Sequence, residues 1–250
     1  MKILGLMFSR KWFLTTVLVV AGSVLCVRLG IWQLDRLRQR RVFNAHYLAV
    51  RKEAPLDVNF ASVQELSTSE YRDTVASGTY DFANQVALRN QYNGNEYGYH
   101  LLTPLLIADG TAVLVDRGWI PADGNTAPSD WRKYDVPGQV KVKGILRLGE
   151  TQAEIGGVPD PTLTPGQTRL DVWNLVNLDR IGQQLPYRLL PAFIQPNPDP
   201  ADTVPPIPYQ AEVDISEGPH LGYAGQWFTF AALLFFGYPI FYLRKQAGRS

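Results

Sequence analysis

The chain has 250 residues, a formal net charge of +1, a single cysteine and two methionines. A net charge so close to zero argues against a nucleic-acid partner, because proteins bind nucleic acids through clustered basic charge. One cysteine excludes an internal disulfide, and so few sulfur ligands disfavour a carrier of soft metal ions. The length suits one domain, alone or together with membrane segments.

An apolar run near the N-terminus predicts a first membrane helix. Residues 12–27 contain no charged side chain, but these 16 residues make only ~24 Å of helix, too short for a ~30 Å hydrocarbon core. We therefore predict a helix over residues 12–34, in which the Arg28 side chain extends to the membrane interface. A cleaved signal peptide is the alternative. No small-x-small cleavage motif closes the run, which favours an uncleaved anchor with residues 1–11 in the cytoplasm.

Four side chains at the end of this helix share one face. Arg28, Trp32, Asp35 and Arg36 lie at i, i+4, i+7 and i+8. Such a face anchors a helix among lipid headgroups. Alternatively it binds a partner helix or the anionic groups of a cofactor, which makes Trp32 and Arg36 candidate partner-binding residues.

The segment between the two apolar ends, residues 35–219, predicts a β-rich domain outside the cytoplasm. Apolar runs, alternation and turn signals predict seven strands. These are residues 75–80, 85–92, 97–108, 111–119, 140–148, 169–176 and 189–195. Residues 36–51 are predicted to continue the first helix and residues 178–185 to form a short one. Asp109-Gly110 suits a tight hairpin turn, and the proline- and glycine-rich residues 121–138 suit a loop.

Asp116, Arg117 and Trp119 stand together at the end of one predicted strand. A neighbouring aspartate and arginine in this position are expected to pair with each other or to bind the backbone of the adjoining loop. The functional alternative is a surface on which these three residues bind a partner protein.

The C-terminal part predicts a second membrane helix. Residues 221–243 contain no charge, and 23 helical residues cover ~35 Å, enough to cross a bilayer. With residues 220–243 as the second span and residues 244–250 beyond it, both termini lie on the same side of the membrane. Basic residues at both termini favour the cytoplasm for that side, although four arginines between residues 36 and 41 weaken the bias.

His220, at the start of this second span, is the residue most suggestive of chemistry. A histidine at the mouth of a membrane helix costs free energy unless it has a partner. Tyr223, Ala224 and Trp227 follow at i+3, i+4 and i+7 on the same face. A neutral imidazole there can ligate haem iron, with the indole packed on the porphyrin. The alternative is an aromatic belt that binds water and headgroups.

Motifs of well-known catalytic sites are absent from the sequence. It contains no glycine-rich phosphate loop, no G-x-S-x-G and no H-E-x-x-H. No two of its three histidines, His46, His100 and His220, are spaced i, i+4 for a shared metal ion. We therefore predict that the protein is not an enzyme.

Several short motifs follow one another in a fixed order along the chain. They are L-G-x-W-Q-x-x-R from residue 29, G-x-Y-D from 78, G-Y-x-x-x-T-P-L from 98, D-G at 109, V-D-R-G-W-I-P from 115 and H-L-x-Y-A-x-x-W from 220. Together these motifs resemble the Surfeit locus protein one family of cytochrome c oxidase assembly factors.

The resemblance implies a membrane α+β protein in which two transmembrane helices flank a β-rich extracytoplasmic domain. It implies a role in maturing cytochrome c oxidase, with subunit one or its assembly intermediate as the partner. It also implies that haem a binds through His220, on the iron, and Trp227; Tyr223 and Arg28 are added as further cofactor-binding candidates. A structural accessory protein that stabilises the oxidase without haem is the alternative. The predicted location is a cell membrane that the chain crosses twice, in a bacterium rather than in the mitochondrial inner membrane.

Overall fold

The computed structural model describes residues 9–107, 110–153 and 155–247. The chain forms two compact units, a helical unit up to His46 and again from Val213, and a β-rich unit from Tyr47 to Glu212. The elements are α1 (Phe13–Val50), β1 (Leu56–Asp57), α2 (Val63–Thr68), β2 (Asp73–Tyr80), a 3-10 helix (Phe82–Asn84), β3 (Val86–Asn93), β4 (Glu96–Leu106), β5 (Thr111–Pro121), a second 3-10 helix (Pro128–Tyr134), β6 (Gln139–Arg147), β7 (Val172–Trp173), α3 (Leu178–Gly182), β8 (Arg188–Pro196) and α4 (His220–Ala247).

The β-rich unit is a mixed eight-stranded sheet that closes on itself. Its strand order is β1-β2-β6-β8-β5-β4-β3-β7, and β2 also pairs with β4 at Thr79–Leu106 and Tyr80–Leu105. The strands β2, β6, β8, β5 and β4 therefore form a ring, with β8 parallel to β5. Closure pairs the backbone groups that open sheet edges would expose.

Strand β5 contributes to two hydrophobic clusters because successive side chains of a strand point to opposite faces. Val113 and Val115 belong to a cluster supplied by all five strands of the ring, which places that cluster inside it. Leu114, on the other face, packs in a second cluster with Trp173 and Phe193. All residues of β5 between its first and last are buried, so the strand is covered on both faces.

Six of the seven predicted strands are confirmed, and the seventh is much shorter than predicted. Of residues 169–176, only Val172 and Trp173 form a strand, β7, which pairs with β3. Backbone N–H groups on either side of β7 bind side chains instead of a neighbouring strand. Leu170 N donates to Gln184 Oε1 at 2.6 Å, and Asn174 N donates to Asp160 Oδ1 at 2.9 Å.

Among the described residues, one predicted loop contains a helix. Residues 121–138 were expected to be a loop, but they contain the second 3-10 helix, whose Trp131 is buried and donates Nε1–H to Asn125 O at 2.9 Å. The helix predicted over residues 178–185 forms and ends at Gly182. Of the predicted Asp109-Gly110 turn, Asp109 lies outside the described residues, and Gly110 has the positive φ (+69°) that a tight turn requires.

The helical unit contains α1, of 38 residues, and α4, of 28 residues. Each has a stretch long and apolar enough to cross a membrane, judged by length and composition. Only 22% of that stretch in α1 and 11% in α4 is buried, so most of its apolar side chains are left for lipid or a partner to cover. The prediction that residues 36–51 continue the first helix is confirmed, since α1 ends at Val50.

The two long helices contact each other at both ends of the apolar region. The hydroxyl groups of Thr16 and Tyr238 lie 2.8 Å apart. Further along, Gly30 packs so closely on the Phe228 ring that an added Cβ atom would lie 2.6 Å from it. The absence of a side chain at Gly30 therefore permits this approach of α1 and α4.

Candidate functional site

His220 is held by a side chain of the first helix. Its Nδ1 lies 2.7 Å from Oε1 of Gln33, a residue that is buried although it is polar. An amide oxygen only accepts hydrogen bonds, so Nδ1–H is the donor. In that tautomer Nε2 carries the lone pair, which is the form of imidazole that ligates a metal. Sequence reasoning missed Gln33, although it stands inside the L-G-x-W-Q-x-x-R motif.

Gly218 borders the other edge of the His220 ring. Its φ angle is +66°, a left-handed conformation that favours glycine. A Cβ atom added at this position would lie 3.4 Å from His220 Nε2 and 3.3 Å from Cδ2. The missing side chain therefore leaves the Nε2 edge of the ring uncrowded.

The other candidate cofactor-binding residues, Tyr223, Trp227 and Arg28, differ in how exposed they are. Tyr223 is 46% exposed, whereas the adjacent Ala224 is buried. Trp227 is half-buried, and its ring stacks edge to face on Phe230 at 6.0 Å. Arg28 is exposed and borders an apolar groove lined by Ser23, Val24, Val27, Phe228, Ala231, Ala232, Phe235 and Phe236.

Arg28 is not brought to His220 by the observed packing. On α1 it precedes Gln33 by five residues, which corresponds to ~7.5 Å along the axis and ~140° around it. Among the described residues, no hydrogen bond or ion pair joins Arg28 to His220, Tyr223 or Trp227. The cofactor-binding role of Arg28 stays a prediction and would require a ligand that reaches around the helix.

Trp32 and Arg36 interact with each other on an exposed face of α1. The Arg36 guanidinium lies 5.5 Å from the Trp32 ring centroid and donates from Nη1 to Gln39 Oε1 at 2.9 Å. Trp32 is 48% exposed, so both residues are accessible to lipid or to a partner. Their predicted partner-binding role is compatible with this exposure and stays a prediction.

The segment before α4 is fastened to α1 by charged side chains. Arg40 pairs with Asp214 at 2.8 Å, and Arg41 pairs with Glu217 through two contacts of 2.8 and 2.9 Å. Hydrogen bonding from Arg41 lowers the pKa of Glu217. Asn44 Nδ2 adds a 2.5 Å bond to the Ile215 carbonyl oxygen. These contacts fix the chain entering α4 and so help to place His220.

These ion pairs had a signal in the sequence. Acidic residues stand directly before the second span, opposite a basic run that follows the first one. Taken by itself, the basic run indicates only membrane topology. If the two long helices form a hairpin, the acidic residues before the second helix lie beside the basic run that follows the first apolar stretch. Comparing the charges of these two segments would therefore have predicted the ion pairs.

In the β-rich unit, Asp116 and Arg117 do not pair with each other. As neighbours on β5 they point to opposite faces of the sheet. Asp116 Oδ2 lies 3.0 Å from His100 Nδ1, and its Oδ1 accepts the Gly118 N–H at 3.1 Å. Of the two expected arrangements, mutual pairing does not occur, and a bond to the backbone after the strand does: Arg117 donates to the carbonyl oxygen of Tyr134.

Arg117 is inserted between aromatic rings. Its guanidinium lies 5.3 Å from the Tyr80 ring centroid and 5.1 Å from that of Phe82. It donates to Gln85 Oε1 at 3.1 Å and to the carbonyl oxygen of Tyr134. Burial lowers the pKa of the Arg117 guanidinium and raises the pKa of the Tyr80 hydroxyl to about 12.

The predicted partner-binding residues of β5 are buried. Asp116 is 3%, Arg117 7% and Trp119 4% exposed. Their side chains support the interior of the domain, so direct contact with a partner is disfavoured by burial and stays a prediction. Trp119 Nε1 has no hydrogen-bond partner within the described chain and would lie 2.4 Å from a Cβ atom added at Gly98.

The described residues contain no group of three or more histidine, cysteine, aspartate or glutamate side chains placed to hold a metal ion. A haem iron differs from a bare ion because its porphyrin supplies four ligands, so one axial imidazole is enough. His220, with Nδ1 bonded to Gln33 and Nε2 beside Gly218, has the chemistry of such a ligand.

Comparisons with known proteins agree with the motif order. The sequence model of the SURF1 family matches residues 20–232. The chain is 27% identical to a SURF1-like protein of Monosiga brevicollis over 96% of its own length and 89% of that protein. It is 25% identical to Surfeit locus protein 1 of Takifugu rubripes over 89% of this chain and 92% of that protein. It is also 25% identical to a SURF1-like protein of Rickettsia felis over 91% of this chain and 96% of that protein. Because the family match takes in most of the chain, from the first long helix to the second, the protein belongs to the SURF1 family.

Proposed function

We propose that the protein is an assembly factor for cytochrome c oxidase that binds haem a while oxidase subunit one matures. The proposal joins the family resemblance to one observation, the 2.7 Å hydrogen bond between His220 Nδ1 and Gln33 Oε1. That bond orients the imidazole and leaves Nε2 as the ligating atom. The proposed role involves no catalysis by the protein.

Each residue of the site has a stated task in this proposal. His220 supplies one axial ligand, and Gln33 holds the ring in place. Trp227, two turns along the same helix, offers an aromatic surface to the porphyrin. Because one histidine and no second protein ligand is assigned to the iron, the haem is held loosely enough to be passed on.

The test is a deletion strain of the source organism, complemented with variants of the protein. His220→Ala should fail to restore the haem a absorption of the oxidase, and the purified variant should carry several-fold less haem a than the unmodified protein. Gln33→Leu removes the acceptor for Nδ1 and should give an intermediate loss with a shifted spectrum. His46→Ala, which changes the other imidazole of the helical unit, is the matched control and should behave as the unmodified protein.

A second function, stabilisation of the oxidase without haem, is favoured by the exposed Trp32–Arg36 pair. It predicts a different result. His220→Ala would then restore the oxidase fully, and Trp32→Ala would not. Unchanged haem content and spectrum in His220→Ala would contradict the ligand assignment.

A further inference from the structure

The β-rich unit contains a cavity of about 270 Å³, remote in sequence from the His220 site, with a buried histidine on its wall. His100 and Asp116 both border this cavity and are 4% and 3% exposed. Its wall is completed by polar side chains, among them Arg147, Glu150 and Asn174, and by apolar ones, among them Leu88, Val176 and Phe193. That volume is well above the space that a single water molecule needs.

Two irregularities of the sheet place His100 at this cavity. The β4–β5 pairing shifts register between His100 and Leu102, and the β3–β4 pairing shifts between Leu88 and Gln91. Asn90, within the second shift, has a positive φ of 63°. Bulges redirect side chains and are frequent beside functional sites. Here two of them flank the same histidine.

The His100 ring has one edge bound and one edge open. Nδ1 lies 3.0 Å from Asp116 Oδ2, and a carboxylate only accepts, so Nδ1–H donates. Nε2, on the far side of the ring, has no hydrogen-bond partner in the described part of the chain. The Nε2 atom is not sealed from solvent, so a molecule in the cavity can reach it. In this tautomer Nε2 is an acceptor for an N–H or O–H group of such a molecule.

Glu150 supplies a second acceptor. It is exposed at the edge of the cavity, where its carboxylate accepts hydrogen bonds. His100 Nε2 and Glu150 together suit a ligand that supplies N–H or O–H groups.

Arg147 supplies positive charge to the same cavity. Its Nε lies 3.2 Å from Glu70 Oε1 and its Nη1 lies 3.2 Å from Gln195 Oε1, while the Tyr71 ring centroid is 4.8 Å from the guanidinium carbon. These contacts hold the guanidinium in place, and none of them uses Nη2. A preordered arginine whose Nη2 has no hydrogen-bond partner among the described residues suits a carboxylate.

We infer that this cavity binds a small organic acid that carries an amino or hydroxyl group, with its carboxylate on Arg147 and its donors on His100 Nε2 and the Glu150 carboxylate. The apolar wall accommodates a short aliphatic side chain. Neither His220 nor haem takes part in this binding, so its test and the test of the proposed function succeed or fail independently.

Three probes of one carbon skeleton test the inference: L-leucine, 2-hydroxy-4-methylpentanoate and 4-methylpentanoate. Binding is measured by calorimetry and ligand-detected NMR on the 250-residue chain in detergent. The amino acid, the hydroxy acid or both should bind at least about tenfold more tightly than 4-methylpentanoate, which lacks the donor and leaves the acceptors unpaired. Which of the first two binds more tightly identifies the donor group.

Variants separate the cavity from non-specific binding. Arg147→Gln should weaken binding about tenfold or more. His100→Asn keeps an N–H group near Asp116 but lacks Nε2, so it should fold normally and lose affinity. Arg132→Gln changes an exposed arginine outside the cavity and should bind as the unmodified chain does. Equal binding of all three probes, no binding by any of them, or full affinity in both cavity variants would overturn the inference.

Discussion

At the scale of single residues, the polar groups of this protein are organised by partners that lie far away in the sequence. Asp81 of the G-x-Y-D motif shows the pattern. Its carboxylate accepts hydrogen bonds from Tyr187 Oη at 2.8 Å, from Asn84 Nδ2 at 2.7 Å and from Ala83 N at 3.0 Å. Burial by itself would raise the pKa of Asp81, but these hydrogen bonds outweigh it and the pKa is lowered.

The charge of Asp81 therefore contributes to stability in a pH-dependent way. A carboxylate whose folded pKa is depressed stabilises the protein fully above its ordinary value near 3.8, and the contribution is lost as the pH falls through the lower folded value. Asp81→Asn should lower the free energy of unfolding by about 1 kcal/mol at pH 7, because charge-assisted hydrogen bonds become neutral ones. The difference should shrink below about pH 4. Thermal unfolding at several pH values measures it.

Asp123→Asn is the matched control for that experiment, since it changes an exposed carboxylate in the same unit. It should leave the pH profile unchanged. A deficit in Asp81→Asn that stays constant from pH 7 to pH 3 would show that the charge is not responsible.

At the scale of elements, the contact of α1 with α4 depends on where small residues lie. Gly30 and Gly22 are both on α1, but an added Cβ would lie 2.6 Å from the Phe228 ring at Gly30 and 3.5 Å from Leu234 at Gly22. The first distance is a clash and the second is an ordinary contact. Gly30→Ala and Gly22→Ala gain the same helix propensity, so comparing them isolates the effect of packing.

Gly30→Ala should therefore weaken the association of α1 and α4, and Gly22→Ala should not. The expected difference is about 1–3 kcal/mol, the usual cost of overpacking. Spin labels at the exposed Leu18 and Phe236, in a Cys26→Ser background, report the separation of the helices during an SDS titration. If both alanine variants separate at the same SDS fraction, Gly30 does not determine the helix contact.

At the scale of the whole molecule, two candidate membrane spans lie on either side of the β-rich unit in the chain. We expect both termini in the cytoplasm and the β-rich unit outside it. A reporter fused after Ser250 should be active only as a cytoplasmic protein. One inserted at Gly124, an exposed residue of positive φ in a loop, should be active only outside. Protection of the Gly124 reporter from an external protease in intact cells would contradict this topology.

The sequence by itself determined the long helices, six of the seven predicted strands and the order of the motifs. Length without charge and alternation of apolar residues are local properties, and the backbone responds to them locally. The family could be identified for the same reason, because its motifs are short segments whose order survives without knowledge of their contacts. The predicted strand at residues 169–176 failed where side chains replaced strand partners, which no local pattern records.

Only the tertiary structure decided which polar groups meet. His220 and Gln33 are 187 positions apart, and their contact depends on how α1 packs on α4. Asp116 and Arg117 are neighbours in sequence, yet the alternation of a strand sends one to His100 and the other to Gln85. A buried hydrogen bond requires a partner at a distance and angle that the whole fold sets. The residue types in the motifs thus indicated where chemistry is possible, and long-range pairing determined which atoms remain available for it.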